Sequence, residues 1–255
     1  MSENLFSVPD PIPGTIDIKC GIDEVGRGAY CGPLVVCGVF NPYKYFHPAV
    51  KDSKAFNDRA KITKEQQRKN IADQIKPHIG YVIQPVTPAM IDMNGMGQAM
   101  SFAVKAVRQQ MITQIIGMRL GNFRMDIIMD GDDYPKMDYE QDFWDGARNV
   151  RARVTQECVI KADATVFEVS AASIIAKDFR DTYMREMAQR PGFWPYDLVV
   201  NKGYGSPKHE AAIVQYGLTA EHRRSFVRTV LARLREIGAI TDSKQLEMFQ
   251  EKPNV

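Results

Sequence analysis

Residues Gly21-Ile22-Asp23-Glu24-Val25-Gly26-Arg27-Gly28 put two adjacent carboxylates at the end of an apolar run and follow them with an arginine between glycines. The same grammar, a β-prone apolar run closed by an acid, recurs at Ile127-Ile128-Met129-Asp130-Gly131 and at Val159-Ile160-Lys161-Ala162-Asp163. Acids at the ends of central strands converge at one edge of a sheet, where they repel one another and call for cations. A donor set of oxygens without histidine or cysteine suits Mg²⁺ or Mn²⁺ rather than zinc. Hard cations held this way can work on a phosphodiester. Successive strand residues face opposite sides, so Asp23 and Glu24 share a site only if the strand ends or bends there. The glycines allow that bend and let a ligand approach the backbone closely.

The elements that would carry these acids can be read from periodicity. Strands are predicted over 16–23, 34–40, 81–86, 125–129 and 154–160. Helices are predicted over 59–75, 166–187, 206–216 and 221–237. Met96, Met100, Val104, Val107, Met111, Ile115 and Met118 recur at steps of three and four, the apolar face of a long helix whose methionines fill a core. Residues 132–153 read as a polar surface insertion with one short helix. Early strands and late helices indicate an α/β fold, a mixed sheet flanked by helices with a helical C-terminal segment. The expected divisions are an N-terminal arm (1–15), a catalytic domain (16–190), a helical substrate-binding segment (191–238) and a tail (239–255).

Composition narrows the classes. The 255 residues are 44% hydrophobic with a net charge of +2, enough apolar material for a core and too mild a charge to demand a nucleic-acid partner. Arginine and lysine do gather near 44–69, 148–153 and 222–235. Cys20, Cys31, Cys37 and Cys158 have no zinc-ligand spacing and read as reduced thiols of a cytoplasmic protein. No apolar run is long enough to span a membrane.

The segments GIDEVGRGAYCGPLVVCGVF (21–40), DSK (52–54), MIDMNGMGQAM (90–100), IIMDG (127–131), KADATVFEVSAASIIAKDFRD (161–181) and NKGYGSPKHEAAIVQYGLTAEHRRSF (201–226) together resemble ribonuclease HII, the type 2 ribonucleases H. The resemblance spans roughly 16 to 237. It implies a ribonuclease H-like sheet and a metal-dependent endoribonuclease that hydrolyses the RNA strand of RNA–DNA hybrids. It also implies incision 5′ of single ribonucleotides in duplex DNA, as in ribonucleotide excision repair, leaving 5′-phosphate and 3′-hydroxyl ends. By the same resemblance, Asp23, Glu24, Asp130 and Asp163 are the catalytic, metal-binding acids, holding two Mg²⁺ or Mn²⁺ ions with Asp23 as the bridge. Gly26, Arg27 and Gly28 form the ribose-reading loop, whose backbone can both donate to and accept from a 2′-hydroxyl. Tyr204 is the substrate-stacking ring, and Lys54 and Asn94 are phosphate contacts. Aspartate at 163 favours type HII over HIII. Ala29-Tyr30 departs from the family's usual Pro-Leu, which leaves the ribose contacts less defined than the metal contacts.

Other residues carry open alternatives. Lys177, Arg180 and His222-Arg223-Arg224 either grip nucleic acid or are solvated charges, and Arg148, Arg151 and Arg153 offer a further contact in the insertion. His47, His78 and His209 read as bystanders. Gln245-Leu246-Glu247-Met248-Phe249 resembles a sliding-clamp peptide, or else packs on the protein's own surface. The protein is expected to be a monomer. Two other functions compete with the ribonuclease. One is a related nuclease, such as a resolvase or transposase-like enzyme, indifferent to the 2′-hydroxyl. The other is a catalytically inactive nucleic-acid-binding subunit.

Overall fold

Alternating and continuous apolar runs between residues 16 and 159 build six strands. They are β1 (Ile16–Val25), β2 (Leu34–Asn41), β3 (Gly80–Val86), β4 (Phe123–Asp130), β5 (Met137–Trp144) and β6 (Asn149–Val159). The computed structural model describes residues 14–50, 62–132 and 134–236. The strands form one mixed sheet in the order β3-β2-β1-β4-β6-β5. The three central strands β1, β4 and β6 are parallel, while β2, β3 and β5 pair antiparallel at the two sides. Parallel strands end at the same edge, which is where open α/β sheets bind ligands. The carboxyl ends of β1, β4 and β6 therefore lie side by side.

Each face of the sheet is covered by helices. Helix α1 (Lys64–Ile75) follows the Thr63 cap, and α2 (Pro88–Gly117) follows the Thr87 cap and kinks at Gly95. The helices α3 (Ala162–Thr165) and α4 (Phe167–Ala188) come directly after β6. Met100, Val104, Val107, Met111 and Ile115 of α2 join Ile22, Val36, Met125, Ile127 and Met129 in the core on one face. The methionine periodicity is thus core packing. Ala171, Ala172, Ile174 and Ile175 of α4 meet Val35, Cys37 and Val39 on the other face. Small residues let α4 lie very close to β1: a side chain at Gly21 would come within 2.3 Å of the Glu168 and Val169 backbone. All four cysteines are free thiols, three of them buried. No helix among the described residues is long and apolar enough to cross a membrane.

One element differs from expectation. The described residues of 132–153 hold no helix; β5 and β6 make a hairpin there, closed by Asp145, whose carboxylate accepts from the Ala147 and Arg148 amides. The period-two signal was present, with Val150, Ala152 and Val154 turned inward, but it was masked by the charges between them. Those charges pair across the hairpin. Arg151 meets Asp142 at 2.9 Å and Arg153 meets Asp138 at 2.7 Å, while Arg148 lies 3.5 Å from Asp145. The arginines read as candidate nucleic-acid contacts are thus balanced by acids on the edge hairpin, a common way to blunt an edge strand.

A third apolar cluster joins the end of α4 to α5 (Leu198–Asn201), α6 (Pro207–Tyr216) and α7 (Arg224–Glu236), with Cys31, Met184, Met187, Tyr196, Ile213, Val227 and Leu231 at its centre. Helix α7 begins at Arg224, three residues later than the periodicity suggests, because 219–223 is engaged in contacts with the rest of the chain. Asp92 of α2 caps it, accepting from the Arg224 and Ser225 amides.

Two buried arginines lie between this cluster and the sheet. Arg180 is 1% exposed and Arg223 is fully buried. Arg180 donates to the carbonyls of Pro33, Lys202 and Cys31 at 3.0, 2.7 and 3.1 Å. Arg223 donates to Gly26 at 2.6 Å, Arg27 at 3.0 Å and, through two nitrogens, Gly32 at 3.0 and 2.9 Å. Neither grips nucleic acid from the surface, which corrects that expectation. Both guanidinium groups clasp the loop after β1 from inside.

Two stability measurements follow from this core. Arg223→Met strips donors from four hydrogen bonds and should cost roughly 3 kcal/mol in urea unfolding. Arg223→Lys keeps the charge but loses the fork geometry and should also destabilise; wild-type stability in both variants would contradict the clasp. Burial holds the His222 imidazole down to about 3, with His209 beside it adding to the effect. Burial also lowers His209, against opposing pulls from the Tyr204 carbonyl, Glu210 and Asp197. Unfolded imidazoles titrate near 6.5, so below that pH the unfolded chain takes up protons that the folded core refuses. The stability due to His222 should be intact above pH 6.5 and fall on acidification towards about 3, with a limiting slope of about 1.4 kcal/mol per pH unit. Unfolding curves at neutral and mildly acidic pH, compared with His222→Asn, measure it; an identical acid dependence in the variant would refute it.

Candidate active site

The parallel register pairs Ile22 with Met129, so the next residues, Asp23 and Asp130, stand side by side at the sheet edge. Asp23 partners Cys37 and Glu24 partners Val36 across the antiparallel pair. Cys37 belongs to the core under α4 and Val36 to the core under α2. Paired residues share a face. Asp23 therefore faces α4 and Glu24 the opposite side. The strand continues to Val25 rather than ending at the acids, so the alternation is kept. Asp23 and Glu24 reach common ground only over the rim, around the turn at Gly26.

Asp163 belongs to α3, the short turn of helix after β6, and is 6% exposed. Its neighbour Ala162 donates its amide to Asp130 Oδ1 at 2.8 Å, which ties this turn to the end of β4. The Asp163 carbonyl accepts from Ser170 Oγ. Lys161, at the start of the turn, has φ 60°. The three strand ends of the sequence pattern thus come to one edge. Asp23 and Asp130 are adjacent there and Asp163 is anchored through its backbone, while Glu24 approaches from the other face. Among the described residues, no three side chains of Asp, Glu, His or Cys by themselves make up a metal-ligand group.

Asp23 is 7% exposed. Burial pushes its carboxyl up to about 6; Ser173, Lys177 and the Glu24 amide pull it back, and the neighbouring Asp130 charge adds to the rise. Lys177 Nζ donates to Ser173 Oγ at 2.8 Å, a pair one turn apart on α4. Ser173 is a site residue that the motifs did not single out. Its signal was position, one helical turn before Lys177 on the helix behind Asp163. A buried carboxylate next to a second carboxylate fits a hard divalent cation by donor chemistry.

Beyond the acids, Gly26, Arg27 and Gly28 form a turn that meets Tyr204. The Gly26 amide donates to Tyr204 Oη at 3.1 Å. Gly26 has φ +87°, and a side chain there would meet Arg180 Nε at 2.3 Å, whereas nothing lies within 4 Å of the corresponding position at Gly28. Glycine at 26 is thus demanded by the protein's own packing, and at 28 it leaves open space. Arg27 Nη1 is 3.9 Å from Glu24 Oε1. Tyr204 is 38% exposed, with the Arg180 guanidinium 5.2 Å from its ring centre. Asn94 donates its amide to the Met90 carbonyl one turn back on α2 and is exposed. Lys54 and Gln245–Phe249 lie outside the described residues. His209 and His222, the first read as a bystander and the second as a surface grip, are both buried and lie 3.1 Å apart.

Comparison with known proteins gives the family. The family model described as Ribonuclease HII matches residues 20–234. The chain is 34% identical to Ribonuclease HII of Aliarcobacter butzleri over 219 residues, covering 86% of this chain and 95% of that one. It is 30% identical to Ribonuclease HII of Cytophaga hutchinsonii over 213 residues, covering 82% and 89%. In three dimensions it resembles ribonuclease H2 from Pyrococcus horikoshii, with TM-score 0.59, 25% identity and coverage of 86% and 99%. Bst-RNase HIII, solved in complex with Mn²⁺, shares the fold with TM-score 0.52, 21% identity and coverage of 88% and 72%. The acids at the parallel strand ends, the glycine turn and the helical segment that carries Tyr204 all fall within the matched span, and the chain belongs to the ribonuclease HII family.

Proposed function

We propose that this chain is an endoribonuclease that hydrolyses the RNA strand of RNA–DNA hybrids and incises 5′ of single ribonucleotides in duplex DNA. The observation that carries the reading is the meeting of Asp23, Asp130 and the Asp163 turn at the carboxyl ends of β1, β4 and β6, beside a glycine turn bonded to Tyr204. Asp23, Glu24, Asp130 and Asp163 would hold two divalent cations, Mg²⁺ or Mn²⁺. Bound there, such ions supply charge relief on the phosphodiester and a more acidic water. Bst-RNase HIII, which shares the fold, was solved in complex with Mn²⁺.

The chain's own residues divide the remaining work. The buried Asp23 and the half-buried Asp130 fix where positive charge can sit, and Lys177 with Ser173 orients Asp23 from behind. The open space at Gly28 lets a ribose 2′-hydroxyl approach the backbone of a turn whose Gly26 and Arg27 carbonyls are already held from inside by Arg223. The Tyr204 ring, held by its hydroxyl on Gly26, offers a flat face to the sugar after the ribonucleotide. The helical segment 191–238 carries this ring and is the substrate-binding part of the chain, next to the catalytic part at 16–190. Products carry 5′-phosphate and 3′-hydroxyl ends.

A duplex carrying one ribonucleotide, incubated with Mg²⁺ or Mn²⁺, tests the reading. Cutting on the 5′ side of that nucleotide supports it, and cutting of all-DNA duplex would replace it with an enzyme indifferent to the 2′-hydroxyl. Asp23→Asn should lower kcat by at least about a thousandfold with substrate Kd within threefold, because the carboxylate acts on the reacting phosphate; residual activity within about tenfold would refute its role. Tyr204→Ala should lower kcat/KM on the single-ribonucleotide duplex by about tenfold or more, from loss of one stacking ring. Affinity for all-DNA duplex should change far less, and equal losses would count against stacking.

A further inference from the structure

His209 and His222 sit behind the proposed substrate face, and their hydrogen bonds have a fixed direction. The Thr219 amide donates to His222 Nδ1 at 3.0 Å. A backbone N–H can only donate, so Nδ1 of His222 carries a lone pair and its proton is on Nε2. That proton points at His209 Nε2, 3.1 Å away. His209 Nε2 must then accept, which puts the His209 proton on Nδ1, and Nδ1 lies 2.9 Å from the Tyr204 carbonyl. One unambiguous donor at Thr219 thus sets the tautomer of both rings and delivers an N–H to Tyr204. The rings are enclosed by Tyr196, 4.8 Å from His222 and 6.0 Å from His209, and by Tyr30, 6.0 Å from His209.

We propose that His209 and His222 are positioning residues, a directed imidazole relay that fixes Tyr204 against the Gly26–Gly28 turn. Tyr204 is held at four points: its amide by the Asn201 carbonyl, its carbonyl by His209, its hydroxyl by the Gly26 amide, and its ring beside Arg180. Only the carbonyl bond depends on the relay, and it restrains the main chain on the Gly205 side of Tyr204, whereas Gly203 is already fixed by the Tyr30 and Cys31 amides on its carbonyl and by Asn201 on its amide. The isolated β-bridge between Cys31 and His222 couples the far end of the relay to the same loop that Arg223 clasps. The loop and the ring are therefore set from one buried network. This inference rests on the reading of Tyr204 as a substrate contact, but the relay itself can be tested without substrate.

Nitrogen NMR of the imidazoles in the full-length protein should find His209 protonated at Nδ1 and His222 at Nε2 at neutral pH. The opposite tautomer on either ring, or a doubly protonated ring, would overturn the relay. Kinetics then test its purpose. His209→Leu removes the donor to Tyr204 and should lower kcat/KM on the single-ribonucleotide duplex by about tenfold, the scale of a small misplacement of a binding group. On a long RNA–DNA hybrid it should change by less than threefold. His209→Asn, whose amide can replace the Nδ1 proton, should restore most of the loss. Added to Tyr204→Ala, His209→Leu should cause no further loss, since both act through one side chain. Equal losses on both substrates, no rescue by asparagine, or additive losses in the double variant would reduce the pair to structural packing and overturn the proposal. Should the wild-type enzyme cut neither substrate, the proposed function fails, and the NMR tautomers alone decide the relay.

Discussion

Two guanidinium groups, Arg180 and Arg223, hold the loop after β1 by its carbonyls, and the arrangement of the site depends on that clasp. A loop of glycines cannot hold its own shape, because glycine loses the most conformational freedom on ordering. Here the shape comes from below: Arg223 reaches Gly26, Arg27 and Gly32, and Arg180 reaches Cys31, Pro33 and Lys202. Burying a guanidinium is costly unless its donors are satisfied. The five-donor fork of arginine, unlike a lysine ammonium, can meet several carbonyls at once. The cost is visible in Arg223, whose guanidinium burial lowers to about 10, with Arg180 nearby adding to the effect.

The clasp joins two parts of the protein that have separate cores. Arg180 belongs to α4, which packs on the sheet, while Arg223 precedes α7, which belongs to the C-terminal helical cluster. The turn at Gly26–Gly28 is squeezed between them, with Tyr204 bonded to it from the helical side. The acidic rim and the ring are thus linked through the same turn. A sheet whose central strands run parallel supplies the other constraint. It gathers acids separated by more than a hundred residues at a single edge.

Much of this was legible in the chain. The acids at 23, 24, 130 and 163 were marked by apolar runs that end in a carboxylate, and five strands and the principal helices followed from periodicity. Three readings fell short, each for a physical reason. The hairpin at 137–159 alternates properly, but its outward residues are ion pairs that look like a solvated loop. Arg180 and Arg223 look like surface charges because burial of arginine is rare, and their partners are carbonyls, which every residue has. His209 and His222 are thirteen residues apart and form one unit only when α6 and the start of α7 come together. Asp23 and Glu24 were read as reaching one site only if the strand ends or bends there; pairing with β2 carries β1 on to Val25 and keeps them on opposite faces up to the turn at Gly26.

The sequence by itself determined the family, the mixed sheet with helical flanks, and which side chains carry negative charge at strand ends. These are properties of local pattern, where each residue's type and spacing already state its preference. Only the tertiary structure decided which basic and imidazole groups are buried, which carbonyls they meet, and which way the hydrogens point between Thr219 and Tyr204. Those outcomes depend on partners far along the chain and on desolvation, neither of which a residue's own neighbours specify.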